Sequence, residues 1–246
     1  LILYTVLYED EEILIANKLS PLPVQPEKTG DPSLQELLQA QLSERDGKSV
    51  FLEAAHRVYR RASGAVLFAK TRKSLSTLEA AFRDHRVEKE YLACVEREPE
   101  RAEGRLEHRL IWDKRRNVVR AIPAQGAAPG SPSAVAVSGP TAGEKPRGKE
   151  AVLEYRLAGR SERYFFIAAT LITGRHHQIR AQLSAIGCPI RGDLKYGARR
   201  GSESGLIMLH ARRLSLAQPR TGERIEVVAP FPEAEPLWRA FEDTVE

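Results

Sequence analysis

The residues of this chain best suited to chemistry lie in three short stretches. The first is His56-Arg57-Val58-Tyr59-Arg60-Arg61-Ala62-Ser63-Gly64. Three arginines so close together cannot all be buried, and a planar guanidinium suits both a phosphate and the face of a base. An ordinary basic turn closed by Gly64 explains the same residues, and from the residues alone both readings stay open. The second stretch is Thr173-Gly174-Arg175-His176-His177-Gln178-Ile179-Arg180. A glycine just before a helix lets backbone N–H groups approach an anion, and Arg175 and His177 add to such a site. Arg180 is placed near Arg175 and His176 by helical spacing. Adjacent histidines on a helix point about 100° apart. No Asp, Glu or Cys stands at ligand spacing beside them, so no metal site is expected. The third stretch is Val87-Glu88-Lys89-Glu90-Tyr91, where the tyrosine taken alone reads as a half-buried core residue.

Other catalytic signatures are missing. There is no Gly-rich phosphate loop with Lys-Ser/Thr and no G-x-S-x-G elbow. Ser63-Gly64 precedes a strand instead of joining strand to helix.

Elements must position these stretches. Thr5–Tyr8 and Ile13–Ala16 flank an acidic turn and read as strands. After a loop with Pro21, Pro23 and Pro26, Asp31-Pro32 reads as an N-cap with proline at the first helical position. Leu34, Leu37, Leu38 and Leu42 then hold helical spacing until Gly47. Ala65–Ala69 is an apolar strand, and a second helix carries Leu75, Leu78 and Phe82. Glu90–Glu96 alternates, with Tyr91, Ala93 and Val95 on one side. Arg163–Ile172 reads as a buried strand. The spacing predicts a third helix from near Gly174, carrying Ile179, Leu183 and Ile186 and ending at Gly187 before Pro189. Ile207–Leu216 and Ile225–Val228 read as the final strands. Strands and helices without regular βαβ alternation imply an α+β fold with a mixed or mostly antiparallel sheet.

The 246 residues suffice for one sizeable core or two small ones. With 42% hydrophobic and 29% charged residues the chain reads as soluble and globular. No apolar run approaches the roughly 20 residues that cross a bilayer, and the opening residues are too short for a signal peptide. Cys94 and Cys188 lack metal-ligand spacing and are expected to be reduced core thiols in a cytoplasmic protein. The segment at about 124–149 is rich in Ala, Gly, Pro and Ser and is read as a mobile insertion within one domain covering 1–246. Net charge is +5 and the pI about 9.3. The bases cluster, first at Arg101, Arg105, Arg109, Lys114, Arg115, Arg116 and Arg120, then at Arg191, Lys195, Arg199, Arg200, Arg212 and Arg213. Such clusters suit a polyanionic partner, though a solvated basic surface explains the bulk charge equally well.

Taken together, the motifs resemble the RluA-type RNA pseudouridine synthases over nearly the whole chain. "VLYEDEEILIANKLSPLPVQP" is similar to the family's first hairpin and loop, and "HRVYRRASGAVLFAKT" to its main motif, H-R-L-D-R-x-T-S-G. "FRDHRVEKEYLACV", "LITGRHHQIRAQLSAIGCPIRGDLKYG" and "IMLHARRLSL" follow in the family's order. The resemblance implies a pseudouridine synthase fold with a mostly antiparallel central sheet, flanking helices and a central RNA-binding cleft. It implies no cofactor and no metal. A monomer without membrane attachment is expected, and so is a chain without the separate N-terminal S4-type domain that many relatives carry. The family's reaction detaches uracil from C1′ of a flipped uridine, turns it, and rejoins it through C5.

By the same resemblance, Arg57 fills the gap left by the flipped base, Tyr91 stacks on the uracil and assists loss of the C5 proton, and Arg180 pairs with the catalytic aspartate. The remaining RNA-facing residues are expected to be His56, Arg60, Arg115, Arg116, Arg175 and His177. The aspartate itself belongs at Tyr59. Phenols ordinarily ionise near pH 10 and aspartates near pH 4, and a phenol reaches farther, which alters reaction geometry. The first expectation is therefore a family member that binds ribosomal or transfer RNA with isomerisation impaired. The alternatives are an active synthase with Tyr59 at an altered centre, tyrosine nucleophiles being known in sialidases, and a protein-interaction scaffold. Smaller departures are Leu19, where the family usually has proline, and Ala62, where it usually has threonine. Asp84, Asp113 and Asp193 lie in other segments, and the sequence gives no reason to place any of them in the pocket.

Overall fold

The computed structural model describes residues 3–124, 148–202, 205–233 and 235–245; nearly all of the expected insertion lies outside them. In chain order the elements are β1 (Tyr4–Glu9), β2 (Ile13–Lys18), α1 (Leu34–Asp46), β3 (Glu53–Ala54), β4 (Ser63–Ala69), α2 (Arg72–Arg83), β5 (Glu88–Val95) and β6 (Glu103–Asp113). There follow β7 (Val118–Pro123), β8 (Lys149–Arg160), β9 (Phe165–Leu171), α3 (Gln178–Ala185), a 3-10 turn (Leu194–Tyr196), β10 (Leu209–Ala217), β11 (Arg224–Val228) and α4 (Pro236–Val245). They group into two compact units, Leu1–Glu90 with His210–Glu235, and Tyr91–Leu209 with Pro236–Glu246.

In the first unit β2 lies antiparallel between β1 and β4, in register from Ile13↔Ala69 to Lys18↔Gly64. Every residue of β2 and of β4 is buried, which is why Ile13–Ala16 and Ala65–Ala69 read as unbroken apolar runs. Ile13, Ile15, Leu67, Leu78, Leu214 and Leu216 form one core cluster. β4 runs parallel to β10 and β10 antiparallel to β11. Gly64 sits opposite Ala211 with φ 113°, and a Cβ there would overlap the Ala211 carbonyl, so this close strand approach requires glycine. α1 starts later than Asp31-Pro32 suggests. Its N-cap is Ser33, which accepts from the Glu36 N–H at 3.2 Å while the Glu36 carboxylate accepts from the Ser33 N–H at 2.9 Å. This reciprocal capping box satisfies two otherwise orphaned donors, which Asp31 two residues earlier does not.

In the second unit the strand order is β5-β9-β8-β6-β7, with β8 antiparallel to both β9 and β6, and β6 antiparallel to β7. The basic run Arg101–Arg120 forms most of the β6–β7 hairpin. Leu106, Leu110 and Val119 turn into the core, which leaves most of the charged residues between them toward solvent. α3 adds Ala181 to a cluster with Leu110, Val119, Ala121, Ala151 and Tyr196. α4 sets Trp238 and Phe241 against Phe166. The architecture is α+β, with mixed but mostly antiparallel strand pairing and four α-helices among the described residues. Cys94 and Cys188 are buried thiols. No described helix is long and apolar enough to cross a membrane.

Candidate functional site

The second unit holds a dense polar cluster around Arg180. α3 carries this side chain inward, where it is 3% exposed. Its Nε donates to Asp193 Oδ2 at 2.6 Å and its Nη2 to Asp193 Oδ1 at 2.8 Å, a bidentate pair. The guanidinium carbon lies 4.6 Å from the Tyr196 ring centroid. Nη1 lies 2.8 Å from His177 Nε2. A guanidinium only donates, so His177 Nε2 must be the acceptor and its proton sits on Nδ1. Nδ1 then donates to Tyr196 Oη at 2.8 Å, which also accepts from the Val119 N–H at 2.9 Å. Burial, then the Arg180 charge, push the His177 pKa down to about 3, so the ring stays neutral. Gly192, at φ 84°, precedes the aspartate, and a Cβ there would overlap the Leu206 carbonyl. The turn that delivers Asp193 therefore depends on glycine.

Two expectations change here. α3 begins at Gln178, not near Gly174, because His177 adopts a left-handed backbone at φ 55°. The Gln178 Oε1 accepts from the Arg175 N–H at 2.9 Å and from Thr173 Oγ1 at 2.8 Å. The Arg175 N–H that an anion would use is thus taken internally, while the Arg175 Nε donates to the Glu150 carbonyl at 3.0 Å. The histidines do not diverge as helical neighbours, because they precede the helix: their rings stack 3.9 Å apart at 22°. The bidentate partner of Arg180 is Asp193, from the turn after α3.

Tyr91 in β5 is 7% exposed, and burial pushes its phenol up to about 12, so it is neutral. Arg115 and Arg116 are exposed at the β6–β7 turn, with their backbone N–H groups on Asp113 Oδ1 at 3.0 and 3.1 Å. Their side chains are thereby held on a defined turn.

In the first unit the loop from His56 to Ser63 is pinned from beneath by Lys18. This lysine, fully buried at the end of β2, donates to the carbonyls of Ala62 and Arg60, the latter at 3.2 Å. Burial, followed by the Arg60 charge, lowers its pKa to about 7. The Tyr59 carbonyl accepts from the Ala62 N–H at 2.9 Å, closing a tight turn, and the Tyr59 side chain is half-buried. Arg60 is drawn to acids: its guanidinium meets Asp31 at 2.6 Å and Glu27 at 3.4 Å. Arg57 is exposed and donates to Gln25 Oε1 at 2.7 Å. Val24, Gln25, Pro26, Glu27, Arg57 and Val58 line an open groove of about 350 Å³. His56 Nε2 accepts from the Leu67 N–H at 3.1 Å, and burial pushes its pKa down to about 3, so it braces the loop as a neutral ring. Ser63 Oγ lies 2.8 Å from His210 Nδ1, and His210 Nε2 donates to the Ala229 carbonyl at 3.1 Å.

Sequence reasoning missed Lys18, Asp193, Tyr196 and His210. The signal for Lys18 was a cation ending an otherwise apolar strand, since a lysine enters a core only when backbone acceptors await it. Asp193 and Tyr196 follow a glycine in a short turn and carry no local signal for their partners. Among the described residues no group of three or more His, Cys, Asp or Glu is arranged to hold a metal ion.

Comparison with known proteins adds a second line. A family model for RNA pseudouridylate synthase matches residues 12–185. The ribosomal large subunit pseudouridine synthase C of Vibrio vulnificus is 30% identical over 238 residues, covering 93% of this chain and 66% of that protein. The protein of the same name from Pasteurella multocida is 31% identical over 232 residues, covering 92% of this chain and 64% of its own length. The chain thus spans about two thirds of these relatives. Among solved structures, human RNA pseudouridylate synthase domain containing 4 superposes with TM-score 0.73 at 20% identity, covering 98% of this chain and 92% of that one. Human RNA pseudouridylate synthase domain containing 1 does so with TM-score 0.66 at 22% identity, covering 98% and 95%. At these identities the structural likeness shows the fold.

Proposed function

The chain belongs to the RNA pseudouridylate synthase family, and from that premise we propose that it binds structured RNA, ribosomal or transfer, with its uridine isomerisation impaired by Tyr59. The single observation that carries the catalytic half of this reading is the Arg180–Asp193 pair. By resemblance Arg180 is the residue that holds the catalytic carboxylate. Here its Nε and Nη2 donate to Asp193 and its Nη1 to His177, so its charge is balanced without any acid at position 59. The RNA half rests on the family, on the two basic clusters, and on Arg57, Arg115 and Arg116, whose side chains lie at the surface.

Release of tritium from C5-labelled uridine in ribosomal and transfer RNA tests the catalytic half, with binding of the same RNA measured in parallel by filter retention. The expected result is RNA binding without release. Release by the wild type that Tyr59→Phe abolishes would make the phenol a working catalyst and overturn this reading.

A further inference from the structure

The second unit presents an exposed aromatic assembly that the isomerisation chemistry does not use. Trp112, near the end of β6, is 44% exposed, whereas the other tryptophan, Trp238, is 2% exposed. The Trp112 ring meets the ring of His176 edge-on, centroids 5.7 Å apart at 62°. His176 is itself exposed and stacks on His177 at 3.9 Å. His177 is in turn fixed by Tyr196 and Arg180. The Lys195 ammonium stands 5.9 Å from the Trp112 ring centroid. Directly after Trp112 the β6–β7 turn presents Arg115 and Arg116, ordered on Asp113.

A lone exposed tryptophan needs no explanation. This one is held by a chain of ring contacts that ends on a buried ion pair, so its orientation is settled before any partner arrives. A rigid aromatic face loses little entropy on binding. Its neighbours are cations, and a cation beside an aromatic face suits a base whose own phosphate lies within reach. The positive rim disfavours a basic peptide and favours a polyanion.

We propose that Trp112 and His176, with Lys195 and the Arg115-Arg116 turn, form a stacking platform for one unpaired nucleobase of the bound RNA. The site is additional to the residues that handle the target uridine. It rests on the RNA-binding reading above, and stacking is its distinguishing feature: it adds affinity without releasing counterions, whereas contacts to phosphate release them.

The test is a titration of the protein with a mixture of ribosomal and transfer RNA, reading tryptophan emission and affinity at several salt concentrations. RNA is expected to quench wild-type emission, because only Trp112 is exposed. Trp112→Leu should lose the quench and bind about tenfold more weakly with an unchanged salt slope. His176→Ala, a change at an exposed residue, should weaken binding in the same salt-independent way. Arg115→Ala with Arg116→Ala should instead flatten the salt slope. RNA bound by the wild type without quenching, or bound equally well by Trp112→Leu, overturns the platform and leaves RNA binding intact. No binding by the wild type at any salt overturns both.

Discussion

Arg180 and Asp193 meet through two parallel hydrogen bonds of 2.6 and 2.8 Å, with their side chains only 4% and 1% exposed. Removing one partner from such a pair leaves an uncompensated charge in a low-dielectric interior. Asp193→Ala is expected to cost on the order of 3–5 kcal/mol of unfolding free energy in a urea titration. Replacing both residues by apolar ones, Arg180→Met with Asp193→Leu, should cost much less, because no charge is then stranded. A single-variant loss below about 1 kcal/mol, the range of exposed pairs, would mean that water reaches the guanidinium.

His210 links the start of β4 to the Ala229 carbonyl and is fully buried. Burial lowers its pKa to about 4, against an ordinary value near 6.5. Below pH 6.5 the unfolded chain takes up a proton at this position that the folded chain refuses. Its contribution is therefore complete above pH 6.5 and is lost as pH falls toward 4. The slope approaches about 1.4 kcal/mol per pH unit for one group. Comparing unfolding at pH 7 and pH 5, the wild type should lose more stability than His210→Gln, by up to about 2 kcal/mol. Equal losses would mean that His210 already carries a proton in the fold.

Much of the fold was legible because burial writes itself as pattern. The apolar runs of β2 and β4 are too short for helices, and the leucine spacing of α1 has the helical period. The start of α1 was misplaced because a Pro-containing signal competes with a capping box, and only the latter satisfies two donors. The start of α3 was misplaced because the left-handed turn at His177 and the Gln178 side chain replace a helical first turn. Hydrophobic periodicity does not see that exchange. In the candidate site, Arg180 was found through its motif, but its partner was not. An ion pair between residues 180 and 193 is a tertiary fact, set by the turn that Gly192 permits.

Lys18 holds its ammonium on the carbonyls of Arg60 and Ala62. Its pKa of about 7 lies well below that of a free lysine, near 10.4. Between these values the unfolded chain binds the extra proton, so stability at this site should rise as pH increases from 7 toward 10. Lys18→Met should abolish that rise. It should also free the loop around Tyr59, seen as faster amide exchange at Ala62, whose N–H donates to the Tyr59 carbonyl. Unchanged exchange would show that the turn stands without its lysine.

Tyr59 carries the last and most decisive expectation. By resemblance it occupies the position of a carboxylate that the family requires, and phenols ordinarily ionise near pH 10. Lys18 and the turn closed by Tyr59 and Ala62 fix the backbone at this position, so the change of side chain need not disturb the loop. Tyr59→Asp should therefore fold as the wild type does and bind the same RNA. Whether it also releases tritium from C5-labelled uridine depends on Arg180. If Arg180 stays committed to Asp193, the restored aspartate lacks the family's cation, and release should remain far below that of an intact synthase. Tyr59→Asp combined with Asp193→Asn should then release more tritium than Tyr59→Asp alone, since the guanidinium again needs an anion. Should Tyr59→Asp by itself reach full turnover, Asp193 would be a companion of the catalytic carboxylate and not its substitute. The impairment would then lie in the phenol alone.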